Sequence, residues 1–431
     1  MIKGFNPSSI DMSQEEFETY AEKINDVSNY KDVLNSLERR RKNAVEGGVN
    51  CIPLPFARFR NEVPGIEQGQ YIIFTANQKV GKSSIADYLT VFHTLDYAYE
   101  HPEQCSVHII YFPLEESKQR IIERYLSYLL YKLNKIRVAP QDLRSTSVGY
   151  PIPESILKLF EGEEYQKRLD FFDKCVQFET EDTNPTGILR VCENYAKSVG
   201  KFKSHKKTSN GVNGNDVTVF DSYEQDDPNH YKIVIIDHVS LVDKEQGFSN
   251  KQAVDKISEY CVKYLRNRYN YTCVVIQQQA SETEGLEAIK MKKMMPSTSG
   301  LSDSKYTARD ANLVLGLFDP SKFGQPNWLG YKIQDNDGKG LKNYARFMYV
   351  LANRDGEMGG VCPLFFDGAT TNFEELPRPD DAAIKNYYDR VEKLRSFRQQ
   401  SKLEQLKLAI LIFLTKHYGK RSNLTNSAPE A

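Results

Sequence analysis

An α/β fold, with a mostly parallel central sheet between helices and helical extensions at both ends, is predicted by three features of the sequence. The stretch from Tyr71 to Ser84 reads strand, loop, helix around the spacing Ala76-x-x-x-x-Gly81-Lys82-Ser83. Further apolar runs, Ser106 to Phe112, Tyr231 to Ile236 and Tyr271 to Ile276, suit buried parallel strands, with helical patterns between them. Each of these runs leads into a carboxylate or an amide: Glu115, Asp237 and Gln278.

The first stretch has the residue types of a phosphate-binding loop. Gly81 lets the backbone close around a polyphosphate so that several amides point inward, and the following helix start adds a favourable dipole. Lys82 would neutralise the β- and γ-phosphates, and the Ser83 hydroxyl would ligate Mg²⁺. The expected nucleotide-binding set is Ala76, Asn77, Gln78, Lys79, Val80, Gly81, Lys82, Ser83 and Ser84, with ATP or GTP bound. Ala76 departs from the usual glycine at the first position.

With 431 residues the chain can bury a large core in roughly one to three domains. A net charge of −1 excludes a polybasic nucleic-acid coat and an acidic tail protein, but not a local basic channel. The seven cysteines are scattered and never in C-x-x-C, which argues against a disulfide framework or zinc site and suits a reducing cytosol. The longest apolar run, Leu408 to Leu414, is too short to span a bilayer. Met1 to Glu16 lacks the pattern of a secretion signal. A soluble cytoplasmic protein is the expectation.

Residues 1–46 read as a helical extension. Ser13-x-x-Glu16 is a capping box followed by Phe17, Tyr20 and Ile24, and a second helix uses Tyr30, Val33, Leu34 and Leu37. Its basic end, Arg39 to Lys42, reads as a solvated terminus or a nucleic-acid contact. After the strand ending at Phe112, Glu115 and Glu116 either open the next helix or place a base beside the γ-phosphate. Residues 201–230, Lys-rich and then Gly/Asn- and Asp-rich, are expected to form a mobile insertion. Asp237 is positioned to hold Mg²⁺ directly or through water. Of the triplet Gln277-Gln278-Gln279, an amide at the strand end can sense the γ-phosphate. The basic, Met-bearing stretch with Lys290, Lys292 and Lys293 has the charge to track a nucleic-acid backbone, and equally reads as a solvated loop. Strands over Asn312 to Phe318 and Phe347 to Leu351 follow, the latter running into a turn with Arg354, and Phe365 to Gly368 opens a terminal hairpin. Residues 377–431 form a helical tail.

In this order of motifs the chain resembles the RecA-like motor domain of DnaB-type replicative helicases over roughly residues 47–376. Ala76 to Ser83 matches the family's first motif, and Phe112-Pro113-Leu114-Glu115 is similar to its Phe-Ser-Leu-Glu segment, which implies Glu115 as catalytic base. Asp237 matches the Mg²⁺-associated aspartate and Gln278 the γ-phosphate sensor. Arg354 falls on the arginine finger of the Lys-x-Arg-Asn-Gly turn. The resemblance implies an ATP-dependent DNA helicase, a homohexameric ring with ATP between subunits and single-stranded DNA in the channel, and a primase or loader as further partners. Ala352 stands where the family has a lysine, Asn312 replaces an aspartate, and Gln279-Ala280-Ser281 replaces Leu-Asn-Arg. The sixty or so residues before the core leave no room for the family's primase-binding N-terminal domain, and a compact version of this kind would suit a phage or other mobile element. A RecA-like recombinase or recombination-accessory ATPase, and a non-motor assembly switch that binds ATP, remain open readings.

Overall fold

The computed structural model describes residues 29–146, 151–208, 216–285, 291, 294–334 and 340–396. The chain divides into two compact units, Met1–Cys51 and Ile52–Ala431. In the first, the helix α1 (Asn29–Val45) follows the expected apolar spacing. The capping box at Ser13 falls outside the described residues.

The second unit is built on one sheet of nine strands: β1 (Tyr71–Ala76), β2 (Ser106–Pro113), β3 (Val176–Phe178), β4 (His230–Asp237), β5 (Thr272–Gln278), β6 (Leu313–Phe318), β7 (Ala345–Asn353), β8 (Val361–Asp367) and β9 (Asn372–Glu375). Its order is β9-β8-β7-β6-β1-β5-β4-β2-β3. From β6 to β3 all neighbours are parallel, and β7, β8 and β9 extend the other side as an antiparallel meander.

Both faces of the parallel part are buried, which explains why its strands read as near-continuous apolar runs. Because side chains alternate, Ile72, Phe74, Ile109, Tyr111, Ile233, Ile235, Val274 and Ile276 line one face. Tyr71, Ile73, Ile110, Phe112, Val234, Ile236, Cys273 and Val275 line the other. The first face is covered by the helical run from Lys82 to Glu100 and by the helix α2 (Lys118–Asn134), through Leu89, Phe92, Tyr125 and Leu129. The second is covered by α3 (Pro185–Ser198) and α4 (Asn250–Tyr260), through Ile188, Cys192, Val254 and Ile257. Local chemistry starts these last two helices. Asn184 caps α3 with Pro185 in its first turn. Ser249 and Gln252 form a reciprocal capping box on α4. A helical segment over 384–396 places Ile384 and Val391 in a third cluster, against Phe347 and Phe365 of the meander.

Residues 201–230 differ from expectation. Gly200–Thr208 and Asp216–Gln225 pair as an antiparallel hairpin. The polar composition conceals three aromatics that the pairing brings onto one side. Phe202 lies 5.1 Å from Tyr223 and 5.4 Å from Tyr269, and Phe220 lies under the guanidinium of Arg268 at 4.2 Å. At its base, Lys232 of β4 is buried, donates to Tyr223 Oη at 3.2 Å and also to Gln225, and burial lowers its pKa to about 8. Among the described residues no helix is long and apolar enough to cross a membrane.

The weight of the two-faced core is measurable. Ile235→Ala removes a fully buried side chain and should cost about 2–5 kcal/mol in urea unfolding. Lys203→Ala on the exposed side of the hairpin should change stability by less than about 0.5 kcal/mol.

Candidate active site

Parallel pairing brings the ends of five strands to one edge of the sheet. Ala76 lies level with Gln278 and Leu317, and Pro113 lies level with Asp237. The loop after β1 turns through Lys79 (φ 59°) and Gly81 (φ 106°) before the helix begins at Lys82. The Gly81 conformation requires glycine, and a Cβ there would also meet the Phe366 ring at 3.4 Å.

Lys82 is buried, and its Nζ lies 3.4 Å from Glu115 Oε2. The Glu115 amide donates to the Asp237 carbonyl at 3.1 Å, which seats its carboxylate over the end of β4. Glu116 instead pairs with Arg124, so of the two adjacent acids it is Glu115 that faces the lysine. His238 Nε2 stands 3.7 Å from Glu115 Oε2 and 3.2 Å from Gln278 Nε2, joining the sensor candidate to the base candidate. Burial, and then the Lys82 ammonium, lower the pKa of this imidazole.

Below them lies a pair of carboxylates. Asp87 is fully buried and held by Arg124 Nε at 3.0 Å and Nη2 at 2.7 Å. The Tyr111 hydroxyl bridges Asp87 at 2.8 Å and Asp237 at 3.4 Å. The Ser83 hydroxyl favours the charged form of Asp237, whose Oδ1 is nevertheless buried with no hydrogen-bond partner among the described residues. Burial pushes its pKa up to about 7, Asp87 adds to the rise, and Ser83 and Lys82 oppose it. A hard divalent cation takes oxygen ligands and would satisfy that orphaned oxygen, so the Ser83 hydroxyl and the Asp237 carboxylate fit Mg²⁺.

The three glutamines divide by side. Gln277 is buried and donates to the carbonyls of Ser302 and Ser304 while accepting from Thr307. Gln279 donates to Thr75 Oγ1 at 2.9 Å and to the Ser297 carbonyl at 3.0 Å. Only Gln278 turns to the site. On the loop itself, Gln78 donates its amide to Glu284 at 3.0 Å, and its carbonyl accepts from Lys322 Nζ at 2.7 Å. The roles of Asp87, Arg124, Gln277, Gln279, Glu284 and Lys322 escape sequence reasoning. Their partners lie tens to hundreds of residues away, and no local spacing marks them.

Arg354 stands apart. Its amide donates to the Asn312 carbonyl at 2.9 Å and its guanidinium to the Arg309 carbonyl. Because Asn353 is level with Leu313, and Leu313 with Ile72, this exposed turn lies at the end of the sheet opposite the loop. Asn312, expected as a departure from an aspartate, accepts from the Tyr71 amide at 3.0 Å and from Arg266 at 2.7 Å. Lys290, Lys292 and Lys293 fall outside the described residues. Two clefts flank the edge. One of about 550 Å³ is lined by Glu116, Arg120, Arg124 and Gly368. The other, of about 700 Å³, is lined by Lys251, Ser281, Ser302, Lys305 and Tyr306.

The state of Asp237 has a consequence for stability. Its folded pKa of about 7 exceeds the unfolded value, so the folded protein holds an extra proton between roughly pH 4 and 7 and loses stability as the pH rises through that window. The loss is on the order of 4 kcal/mol by pH 8 in metal- and nucleotide-free protein. Asp237→Asn should therefore be more stable than the parent at pH 8, with the gain shrinking as the pH falls toward 4. Denaturant titrations at both pH values check this, and a gain independent of pH would sink the assignment.

No protein-family model matches the chain, and no curated protein matches it in sequence. Solved structures do match. One is described as a DnaB-like replicative helicase and its interactions with primase, with a TM-score of 0.55 and 14% identity, the match covering 80% of this chain and 66% of that one, just under two thirds. Another is described as an ATPase domain, with a TM-score of 0.54 and 14% identity, the match covering 80% of this chain and 98% of that one. The chain therefore has the RecA-like α/β fold of DnaB-like helicase motor domains.

Proposed function

We propose that the protein is an ATP-driven motor of the DnaB-like type, which hydrolyses ATP between subunits of a ring and moves along single-stranded DNA. The observation that carries this reading is the separation of the candidate groups. Lys82, Ser83, Glu115, Asp237 and Gln278 converge at one edge, while Arg354 is exposed at the other. The six residues of β1 alone span roughly 17 Å, beyond the reach of an arginine side chain, so Arg354 would serve the site of a neighbouring subunit.

In this mechanism Lys82 and the loop amides from Lys79 to Ser84 hold the phosphates. Glu115 takes the proton of the attacking water, with the Lys82 ammonium and His238 orienting its carboxylate. Ser83 and Asp237 would hold Mg²⁺, which neutralises charge developing on the β- and γ-oxygens. Gln278 contacts the γ-phosphate and reports its loss through His238. The cleft beside Arg120 and Gly368 leaves room for the nucleoside. The cleft with Lys251, Lys305 and Tyr306 offers cations and an aromatic face to a DNA strand, and Lys290, Lys292 and Lys293 belong to the same proposal by their charge in the sequence. A domain plan of extension (1–46), motor (47–376) and tail (377–431) belongs to the same reading, as do a primase or loader as partner and a cytoplasmic setting.

The first test is ATP turnover with and without single-stranded DNA, with Lys82→Ala as the blank. Stimulation by DNA that the variant lacks supports a DNA-coupled motor. Nucleotide binding without turnover would overturn it in favour of an assembly switch, and strand exchange on open filaments in favour of a recombinase.

The trans role of Arg354 predicts complementation. Arg354→Ala alone should lose turnover by about 10³-fold or more, by analogy with arginine fingers in GTPases. Mixing it with inactive Lys82→Ala should restore part of the activity, because an intact loop can then meet an intact arginine across a subunit boundary. Wild-type turnover by Arg354→Ala, or a mixture as inactive as its components, would count against the proposal.

A further inference from the structure

Arg346, near the start of β7, is 6% exposed, which is costly for a guanidinium unless something requires it there. It meets one carboxylate, Asp319 Oδ2, at 3.0 Å. Its hydrogen bonds go to backbone carbonyls: Asn343 at 2.8 Å, Ala345 at 2.7 Å and Val80 at 2.7 Å. The first two are local to the strand. The third reaches across 266 residues of chain to the phosphate-binding loop.

The Val80 carbonyl shares its peptide unit with the Gly81 amide. In a planar trans peptide these two groups point in opposite directions. A cation that draws the carbonyl outward therefore turns the Gly81 N–H inward, toward the space the loop encloses. On the outer side Phe366 fills the remaining room. Its ring lies 3.4 Å from the place a Gly81 Cβ would occupy, and the Arg346 guanidinium sits 5.3 Å from its centroid. Gly81, with a φ of 106° and no side chain to oppose rotation, is the residue of this loop whose peptides need an external restraint.

We propose that Arg346 is a positioning residue of the phosphate site, held by Asp319 so that it orients the Val80–Gly81 peptide and presents the Gly81 amide to the nucleotide. The antiparallel meander thereby positions a loop that the parallel part of the sheet carries. The proposal rests on the nucleotide-binding reading above. A lysine at 346 keeps the charge but offers a point donor in place of a planar fork, so it cannot serve Val80, Asp319 and the strand carbonyls together.

The test compares MgATP binding by the wild type, Arg346→Lys and Asp319→Asn, using a fluorescent ATP analogue, with near-UV circular dichroism and thermal unfolding on the same samples. Loss of one charge-assisted contact predicts affinity weakened by about tenfold or more in Arg346→Lys at temperatures where it remains folded. Asp319→Asn should weaken binding less but in the same direction. In turnover assays the change should fall on KM rather than on kcat. A purely structural role would lower the unfolding temperature and leave affinity intact. Folded Arg346→Lys with wild-type affinity overturns the proposal. If that variant does not fold, wild-type affinity in folded Asp319→Asn overturns it instead. A wild-type protein that binds no MgATP refutes the nucleotide-site reading itself, a result distinct from either.

Discussion

The site depends on the parallel pairing of β1 with β5 on one side and β6 on the other. Parallel strands deliver all their carboxyl ends to one edge, and in open α/β sheets that edge is where ligands bind. Here it holds Ala76, Gln278 and Leu317 level with one another, and Asp237 level with Pro113, two residues before Glu115. Were β1 reversed, its loop would open at the far end beside Arg354 and away from every acid it needs. The buried isoleucines and valines of both faces therefore act on function as well as on stability, since they fix the register of the polar residues that follow them.

Period-two alternation then sorts the glutamine triplet. Gln277 and Gln279 leave β5 on the same side and grip the chain between Ser297 and Thr307, while Gln278 leaves on the other side toward His238. One strand end thus touches the loop strand through Thr75, the acid cluster through His238, and the segment after β5 through several carbonyls. Glu284, carried on that segment, reaches back to the Gln78 amide and to Lys322. A displacement of this segment would have to break contacts that end directly on the loop after β1. Rigid local contacts of this kind are what a motor of the proposed type would need to couple hydrolysis to movement.

What was legible in the sequence follows from range. The strands β1, β2, β4, β5 and β6 could be read because burial on both faces demands apolar runs, and the loop could be read because Gly81, Lys82 and Ser83 are adjacent. The choice of Glu115 over Glu116 needed the resemblance to a family, and in the structure their different partners, Lys82 and Arg124, separate the two geometrically. The hairpin at 200–225 was hidden because its three aromatics are diluted among lysines and aspartates, and only strand pairing aligns them. Asp87 shows the same limit. It is one acid on a helix until folding sets Arg124 and Tyr111 against it.

The surroundings of the two neighbouring acids differ in a way that bears on the proposed metal. Asp87 and Asp237 share the hydroxyl of Tyr111, yet of the two only Asp87 pairs with Arg124, which opposes the rise in pKa that burial imposes on it without cancelling it. The charge of Asp237 is opposed by burial and by Asp87, and Ser83 and Lys82 compensate it only in part. A lone buried carboxylate is stable only if it takes up a proton or a cation. The fold therefore stores an unfavourable interaction at the point where Ser83 offers a second oxygen, and a divalent cation would relieve it. Placing Arg124 nearer Asp237 would have stabilised the empty protein and removed the driving force for the ion. On this argument the pairing of Asp87 with Arg124 is part of the site, because it relieves Asp87 in part while Asp237 keeps an oxygen with no hydrogen-bond partner among the described residues.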